Sequence, residues 1–217
     1  MALAGLSEIL SALALAAFAG VAMWLFARPR SRMMVLMPAP RWLAIAAAAT
    51  AAWCAALYIW SPGSSQALVA QALRDLAMLG WLRATFWSKA TPMSRPLRLV
   101  LRLLVTVSAA MLLIGGAAHW QHGADAAEWL GPTLAISAMI VATGGLLVVD
   151  GAVRRASTAL HMPVMAVAGG FAMLWAYELN VQLISALTGK PALTLIHLLP
   201  AVALLILPTF VVAAMDV

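Results

Sequence analysis

Charged side chains stand in the middle of two strongly apolar segments of this sequence. The segment QALRDLAMLGWLRATFW carries Arg74, Asp75 and Arg83, and the segment WAYELNVQL carries Glu178. Only 9% of the residues are charged, so charges inside apolar segments are unusual in this chain. An arginine and carboxylates buried at one depth can form an ion pair, bind a ligand or couple two helices. These residues are therefore the first candidates for a functional site.

The composition predicts that the segments holding these charges lie in a membrane. The chain has 217 residues, of which 65% are hydrophobic. Soluble domains are about half apolar and about a quarter charged. We therefore predict an all-α polytopic membrane protein, with residues 1–217 forming one transmembrane domain whose main partner is the lipid bilayer.

Seven apolar runs approach the 20 or so residues that a helix needs to cross the hydrocarbon core. Each run is bounded by turn-forming or charged residues. The glycine pairs in the fourth, fifth and sixth runs predict close packing of helix backbones, because glycine has no side chain. The predicted spans are 3–26, 42–60, 66–87, 97–120, 128–149, 162–187 and 192–214.

The distribution of basic residues predicts the orientation of the bundle. Among the segments that follow the second, fourth and sixth spans, only the last holds a basic residue, Lys190. The positive-inside rule then predicts an outer N-terminus, an inner C-terminus and a multi-pass protein of the bacterial inner membrane. The segments that follow the first, third and fifth spans contain Arg28, Arg30, Arg32, Arg41, Lys89, Arg95, Arg154 and Arg155.

The depths of Arg74 and Glu178 predict a polar cluster. Arg74 lies about 12 Å below the outer end of the third span, and Glu178 lies about 13 Å from the outer end of the sixth, at 1.5 Å per residue. We predict a cluster open to the outer side, acting either as a structural clamp or as a ligand pocket or signalling switch. Because adjacent helix residues point about 100° apart, Arg74 and Asp75 are not expected to neutralise each other. The predicted members are Arg74, Asp75, Tyr177, Glu178, Asn180 and Gln182.

The remaining charges within or beside the spans are predicted to lie at the inner interface. Arg83, Arg98 and Arg102 are close enough to span ends for their side chains to reach the headgroups. Asp150 and Arg154 have the i,i+4 spacing that favours an ion pair on a helix surface.

Few other residues offer chemistry. His119 and His122 are weak metal candidates, and the prediction is that no metal or other cofactor binds. The lone Cys54 excludes a disulfide within the chain. No basic face with interleaved aromatics favours nucleic acid, and no catalytic motif stands at a usable position. The sequence therefore supports no catalytic residues.

Three segments resemble the N-terminal membrane region of PrsK-type sensor histidine kinases, which belong to the PEP-CTERM/exosortase system of Gram-negative bacteria that make exopolysaccharide. The segments are ALRDLAMLGWLRATF, GLLVVDGAVRRAS and FAMLWAYELNVQLISALTG. The resemblance implies a multi-helix input region followed by cytoplasmic GAF and kinase modules, with dimerisation of two copies through the kinase module.

The sequence also departs from that family. The family's fifth span ends in a more acidic, tyrosine-containing segment, where this chain has VVDGAVRRAS. His161 is followed by Met-Pro rather than by the acidic residue of a phosphoacceptor box, and ATP-binding glycine motifs are missing. Kinase activity would therefore require a longer polypeptide.

Two classes of function remain after these exclusions. The first is a membrane input domain of a two-component signal-transduction kinase, which detects a cue near the outer half of the bundle. The alternative is a small polytopic transporter or permease, suggested by the charges near mid-membrane and by prolines within the spans. An intramembrane enzyme is less consistent with the sequence, because no nucleophile and base are paired within the spans.

Overall fold

The computed structural model describes residues 2–27, 39–60, 64–87, 92–120, 124–155, 162–190 and 192–215. All regular secondary structure in these ranges is helical, which confirms the predicted all-α class. The seven helices are α1 (Ala2–Ala27), α2 (Ala39–Ile59), α3 (Ser65–Phe86), α4 (Arg95–Trp120), α5 (Ala124–Arg155), α6 (Met162–Thr188) and α7 (Leu193–Met215).

Six of the seven helices are long and apolar enough to cross a bilayer, which makes the chain a multi-pass membrane protein. The helix that does not qualify is α3, since Arg74, Asp75 and Arg83 lower its hydropathy. Its 22 residues nevertheless extend about 33 Å, close to the thickness of the hydrocarbon core. The seventh span therefore stays a prediction, and so does the orientation.

The helices form a closed ring. Each helix packs against the next one in the chain, and α7 packs against α1 to complete the circle. Further contacts join α3 to α5 and α2 to α7. Consecutive helices run in opposite directions, as the approach of α5 to α4 shows: Gly144 meets Leu104, and Gly151, further along α5, meets Leu97, earlier in α4.

Aromatic side chains fill the centre of the ring. The Phe171 ring on α6 lies 5.3 Å from Trp81 on α3, 5.6 Å from Phe210 on α7 and 6.2 Å from Trp175. Phe210 in turn meets Phe18 on α1 edge-to-face at 5.3 Å. The contact between Phe171 and Trp81 connects helices on opposite sides of the ring, and it brings the charged segment of α3 close to α6.

Glycines allow two of the closest approaches. A Cβ at Gly145 would overlap the indole of Trp175, and a Cβ at Gly144 would overlap Leu104. These two positions bear out the predicted packing role of the glycine pair in α5. Gly169 differs, because it is exposed and a Cβ there would meet nothing within 4 Å.

Candidate functional site

The start of α3 is fixed by a capping interaction that sets the position of Arg74. The Ser64 hydroxyl accepts a hydrogen bond from the Ala67 amide at 3.2 Å, which satisfies one of the free donors at the helix end. Arg74 then lies in the third turn of α3, and Glu178 lies about 15 Å from the end of α6. Since α3 and α6 are antiparallel in the alternating bundle, the two residues reach the same level.

Arg74 binds both carboxylates of the candidate cluster. Its Nη2 lies 2.7 Å from Asp75 Oδ1 and 2.7 Å from Glu178 Oε1. The same nitrogen donates a hydrogen bond of 2.9 Å to Glu178 Oε2, and Nε lies 3.2 Å from Asp75 Oδ1. One guanidinium therefore bridges α3 to α6. We call Arg74, Asp75 and Glu178 the central triad.

Two tryptophans complete the surroundings of the central triad. Trp175 Nε1 donates a hydrogen bond of 3.1 Å to Asp75 Oδ1. The Trp53 ring on α2 lies under the guanidinium, 4.2 Å from Arg74 Cζ, where the negative face of the ring attracts the positive charge. Three helices, α2, α3 and α6, thus converge on one arginine.

The central triad is closed off by the protein. Arg74 is 0% exposed, Asp75 2% and Glu178 5%. The predicted opening toward the outer side is therefore absent at these three side chains. Burial of charge without water requires internal partners, because desolvation costs several kcal/mol per ion. The triad supplies those partners, although one guanidinium faces two carboxylates, so its formal charge is −1 if both are ionised.

Two atoms of the triad are incompletely satisfied. Among the described residues, Arg74 Nη1 has no hydrogen-bond acceptor. Glu178 Oε1 is within ion-pair distance of Nη2 but lacks hydrogen-bond geometry. Buried polar atoms normally have hydrogen-bond partners. The Arg74–Glu178 ion pair is therefore weaker than one in which every polar atom is hydrogen-bonded.

The expectation that Arg74 and Asp75 would not neutralise each other is wrong. Their Cα–Cβ directions do diverge around the helix, but the arginine side chain is long enough to bend back and reach its neighbour, with 2.7 Å between Nη2 and Oδ1. The rule for helix neighbours describes short side chains better than it describes arginine.

Three predicted members lie outside the cluster. The Tyr177 hydroxyl donates to the Leu195 carbonyl of α7 at 2.9 Å. Asn180 is exposed and its Nδ2 donates to the Ala176 carbonyl of its own helix at 2.8 Å. Gln182 lies one turn beyond Glu178, is partly exposed, and makes no hydrogen bond to the triad. At 100° per residue, Tyr177 and Asn180 point away from the face that carries Glu178.

The charges predicted at the inner interface lie near the end of α3, near the start of α4 and near the end of α5. Arg154 Nε lies 2.8 Å from Asp150 Oδ2, and both side chains are well exposed. Arg98 donates to the Met93 carbonyl at 3.0 Å. Arg83 and Arg102 are exposed, and neither guanidinium makes a hydrogen bond or ion pair with another described residue.

The side chain of His119, and His122 as a whole, lie outside the described residues. Elsewhere in the described ranges, no three residues of the types His, Cys, Asp and Glu are grouped as a metal site. Cys54 is fully buried in α2.

Sequence reasoning overlooked Trp53 and Trp175. Trp175 lies at the centre of α6, and Trp53 lies six residues before the end of α2. Both are therefore set inward from the helix ends, where interfacial tryptophans lie. A buried indole N–H needs an acceptor, so a tryptophan in mid-helix three residues before a glutamate was a usable signal of a polar neighbour.

Searches of protein-family models, curated proteins and solved structures find no match to this chain. The resemblance of the three segments to PrsK-type kinases stays a prediction.

Proposed function

We propose that this chain is a membrane-embedded sensory input domain in which the central triad couples α3 to α6. The observation that carries the proposal is the ion pair between Arg74 and Glu178, buried between helices and 104 residues apart. A buried pair of this kind resists partial separation, since losing one partner leaves an uncompensated charge. In the proposed switch the pair is either joined or separated, and a cue would shift the balance between these two states.

Contacts from α6 provide a route toward α7. The Tyr177 hydroxyl is bonded to the Leu195 carbonyl, and the Phe171 ring packs on Phe210. A cue that shifts α3 against α6 would change the triad, and α6 would carry the change into α7. Under the predicted orientation α7 ends on the inner side. There, a homodimeric kinase module of the kind implied by the resemblance would respond to the shift of α7.

A seven-span bundle in the bacterial inner membrane is part of this proposal. Helix α3 contributes its charges to the centre, where the triad compensates them, rather than to lipid. Its length and its packing between α2 and α4 support a transmembrane position despite its lower hydropathy.

The geometry favours coupling over solute transport. A permease needs a polar path that alternately opens to each side. In the described residues, the triad is flanked by the rings of Trp53 and Trp175 and is 0–5% exposed. The polar groups of the central triad are thus used in bonds between helices, and few of them remain to line a path for a solute.

Phosphorylation in native membranes tests the proposal. The tagged chain, captured with whatever polypeptide continues from it or co-purifies with it, should acquire acid-labile phosphohistidine from ATP. Arg74→Gln should change the level of that phosphate, whereas Arg95→Gln, an exposed arginine remote from the triad, should leave it unchanged. Complete lack of phosphohistidine in the captured material, together with solute uptake by proteoliposomes of the chain, would establish the permease instead.

A further inference from the structure

A groove on the outside of the bundle lies between α2, α3 and α4. Its volume is about 930 Å³, and its walls are mainly apolar. On α3 the lining extends from Leu73 to Ala84, a length of about 16 Å at 1.5 Å per residue. That length is about half of the hydrocarbon core, or one leaflet. The larger apolar side chains along it include Trp42, Ile45, Leu73, Leu76, Leu101 and Val105.

Small residues on α3 give the groove its depth. A Cβ at Gly80 would overlap the ring of Trp42, so this indole lies directly on the α3 backbone. Ala77 and Ala84, one turn to either side, also line the groove. The surface between α2 and α4 is therefore concave over several turns, where larger α3 side chains would have filled it.

Two arginines stand at one end of the groove. Arg83 and Arg102 both line it, on α3 and α4 respectively, and both are exposed. Their guanidinium groups have no carboxylate or other acceptor in the described part of the chain. Exposed Arg154, in contrast, is paired with Asp150. Two unpaired guanidiniums beside an apolar groove suit a ligand with an anionic head and an apolar tail.

A third donor lies at the same end. Trp87 lines the groove and is only 9% exposed, and its indole Nε1 is buried without an acceptor among the described residues. A buried indole N–H usually has a partner. An oxygen of a bound headgroup or ester would provide one.

We propose that this groove binds an anionic phospholipid, with an acyl chain along α3 and the phosphate between Arg83 and Arg102. Arginine is suited to phosphate because its planar fork donates two parallel hydrogen bonds. Arg83 lies three residues before the end of α3, and Arg102 lies seven residues after the start of α4. Both long side chains can reach the headgroups if α3 crosses the membrane. A lipid fits this site better than a peptide, because the apolar wall faces the bilayer and is one leaflet long.

The site bears on the central triad through α3 but is separate from it. Leu73 at the far end of the groove precedes Arg74, and the two side chains point about 100° apart around the helix. Leu73 is 47% exposed, whereas Arg74 is fully buried. An occupied groove would hold α3 against α2 and α4. The proposal goes beyond signal input, since it holds equally if the chain transports a solute.

Lipid retention by the purified full chain tests the site. The protein is released from nanodiscs of phosphatidylcholine with a minor fraction of phosphatidylglycerol, and native mass spectrometry counts the retained lipids. Wild type should retain phosphatidylglycerol preferentially. Loss of both arginines, Arg83→Gln with Arg102→Gln, should lower that preference about 25-fold, at about fivefold for each charge.

Two controls separate a built site from general attraction to a basic surface. Arg41→Gln with Arg95→Gln removes two exposed charges from the same end of the bundle without touching the groove, and it should change the preference much less. Ala84→Phe keeps every charge but fills the groove, and it should reduce retention of both lipids. Equal loss in the two double variants, or full retention in the folded Ala84→Phe variant, would overturn the proposal.

Discussion

Arg74 and Glu178 are joined across the interior of the bundle, with 2.7 Å between Nη2 and Oε1. The residues belong to α3 and α6, which are not neighbours in the ring. Asp75 shares the same guanidinium nitrogen, so the triad holds one guanidinium and two carboxyl groups. Because two carboxyl groups share one guanidinium, substitutions at Arg74 and at Glu178 should differ in their effect on stability.

Neutralising the two ends of the pair should have unequal effects. Arg74→Gln leaves Asp75 and Glu178 buried with no cation, so we expect a loss of about 3–5 kcal/mol in the free energy of unfolding. Glu178→Gln leaves the Arg74–Asp75 pair intact and keeps an acceptor for Nη2, so its cost should stay within about 1 kcal/mol. Reversible unfolding in SDS measures both, and a larger loss for Glu178→Gln would contradict the charge assignment.

The hydrogen bond from Trp175 to Asp75 should be measurable by itself. Trp175→Phe removes the N–H donor and keeps an aromatic ring in the core, and a bond to a charged acceptor is worth about 1.5–3 kcal/mol. Repeating the substitution in an Asp75→Ala background provides the control. We expect most of the loss to disappear there, whereas an unchanged loss would assign the effect to ring packing.

Gly145 and Gly169 have different surroundings, so the same substitution at each position gives a matched comparison. Gly145→Ala forces a methyl group into the Trp175 indole, and overpacking of this kind costs about 1–3 kcal/mol. Gly169→Ala meets open space on an exposed helix face, so the better helix propensity of alanine should stabilise by up to about 1 kcal/mol. Thermal unfolding in detergent distinguishes the two, and similar effects would mean that the α5–α6 contact is looser than described.

Hydrophobic run length could predict most of the fold. Six helices agree with the predicted spans to within three residues at each end, because their ends coincide with turn formers or charges: α1, α2, α3, α4, α6 and α7. Helix α5 is longer than its span, at 32 residues and about 48 Å, since alanines and Asp150 continue the helix beyond the apolar core.

The depth of each charged residue along its span could predict which helices share the triad, but it could not predict which side chains reach the triad. Counting residues from the span ends placed Arg74 and Glu178 at one level, and these two side chains meet. Tyr177 and Asn180 are near in sequence, but their directions around α6 take them elsewhere. The face that a helix turns toward the core depends on its rotation, which is set by packing against several helices, and an apolar sequence on all sides does not reveal it.

Cysteine accessibility tests the seven-span topology. In a Cys54→Ala background, single cysteines replace Ser64, which precedes α3, Arg95, which begins α4, and Lys190, which follows α6. In intact cells a membrane-impermeant maleimide should label positions 64 and 190, and should reach position 95 only after permeabilisation. Labelling of 64 and 95 from the same side would show that α3 does not cross the membrane.

Stability coupling between Arg74 and Glu178 tests the central claim most directly. Unfolding free energies in SDS are needed for Arg74→Ala, Glu178→Ala and the double variant. Because the side chains share an ion pair in the core, the double variant should cost less than the sum of the single losses, by about 1–3 kcal/mol. A sum that matches the double variant to within about 0.5 kcal/mol would show that the two residues act independently and that α3 and α6 are not coupled through them.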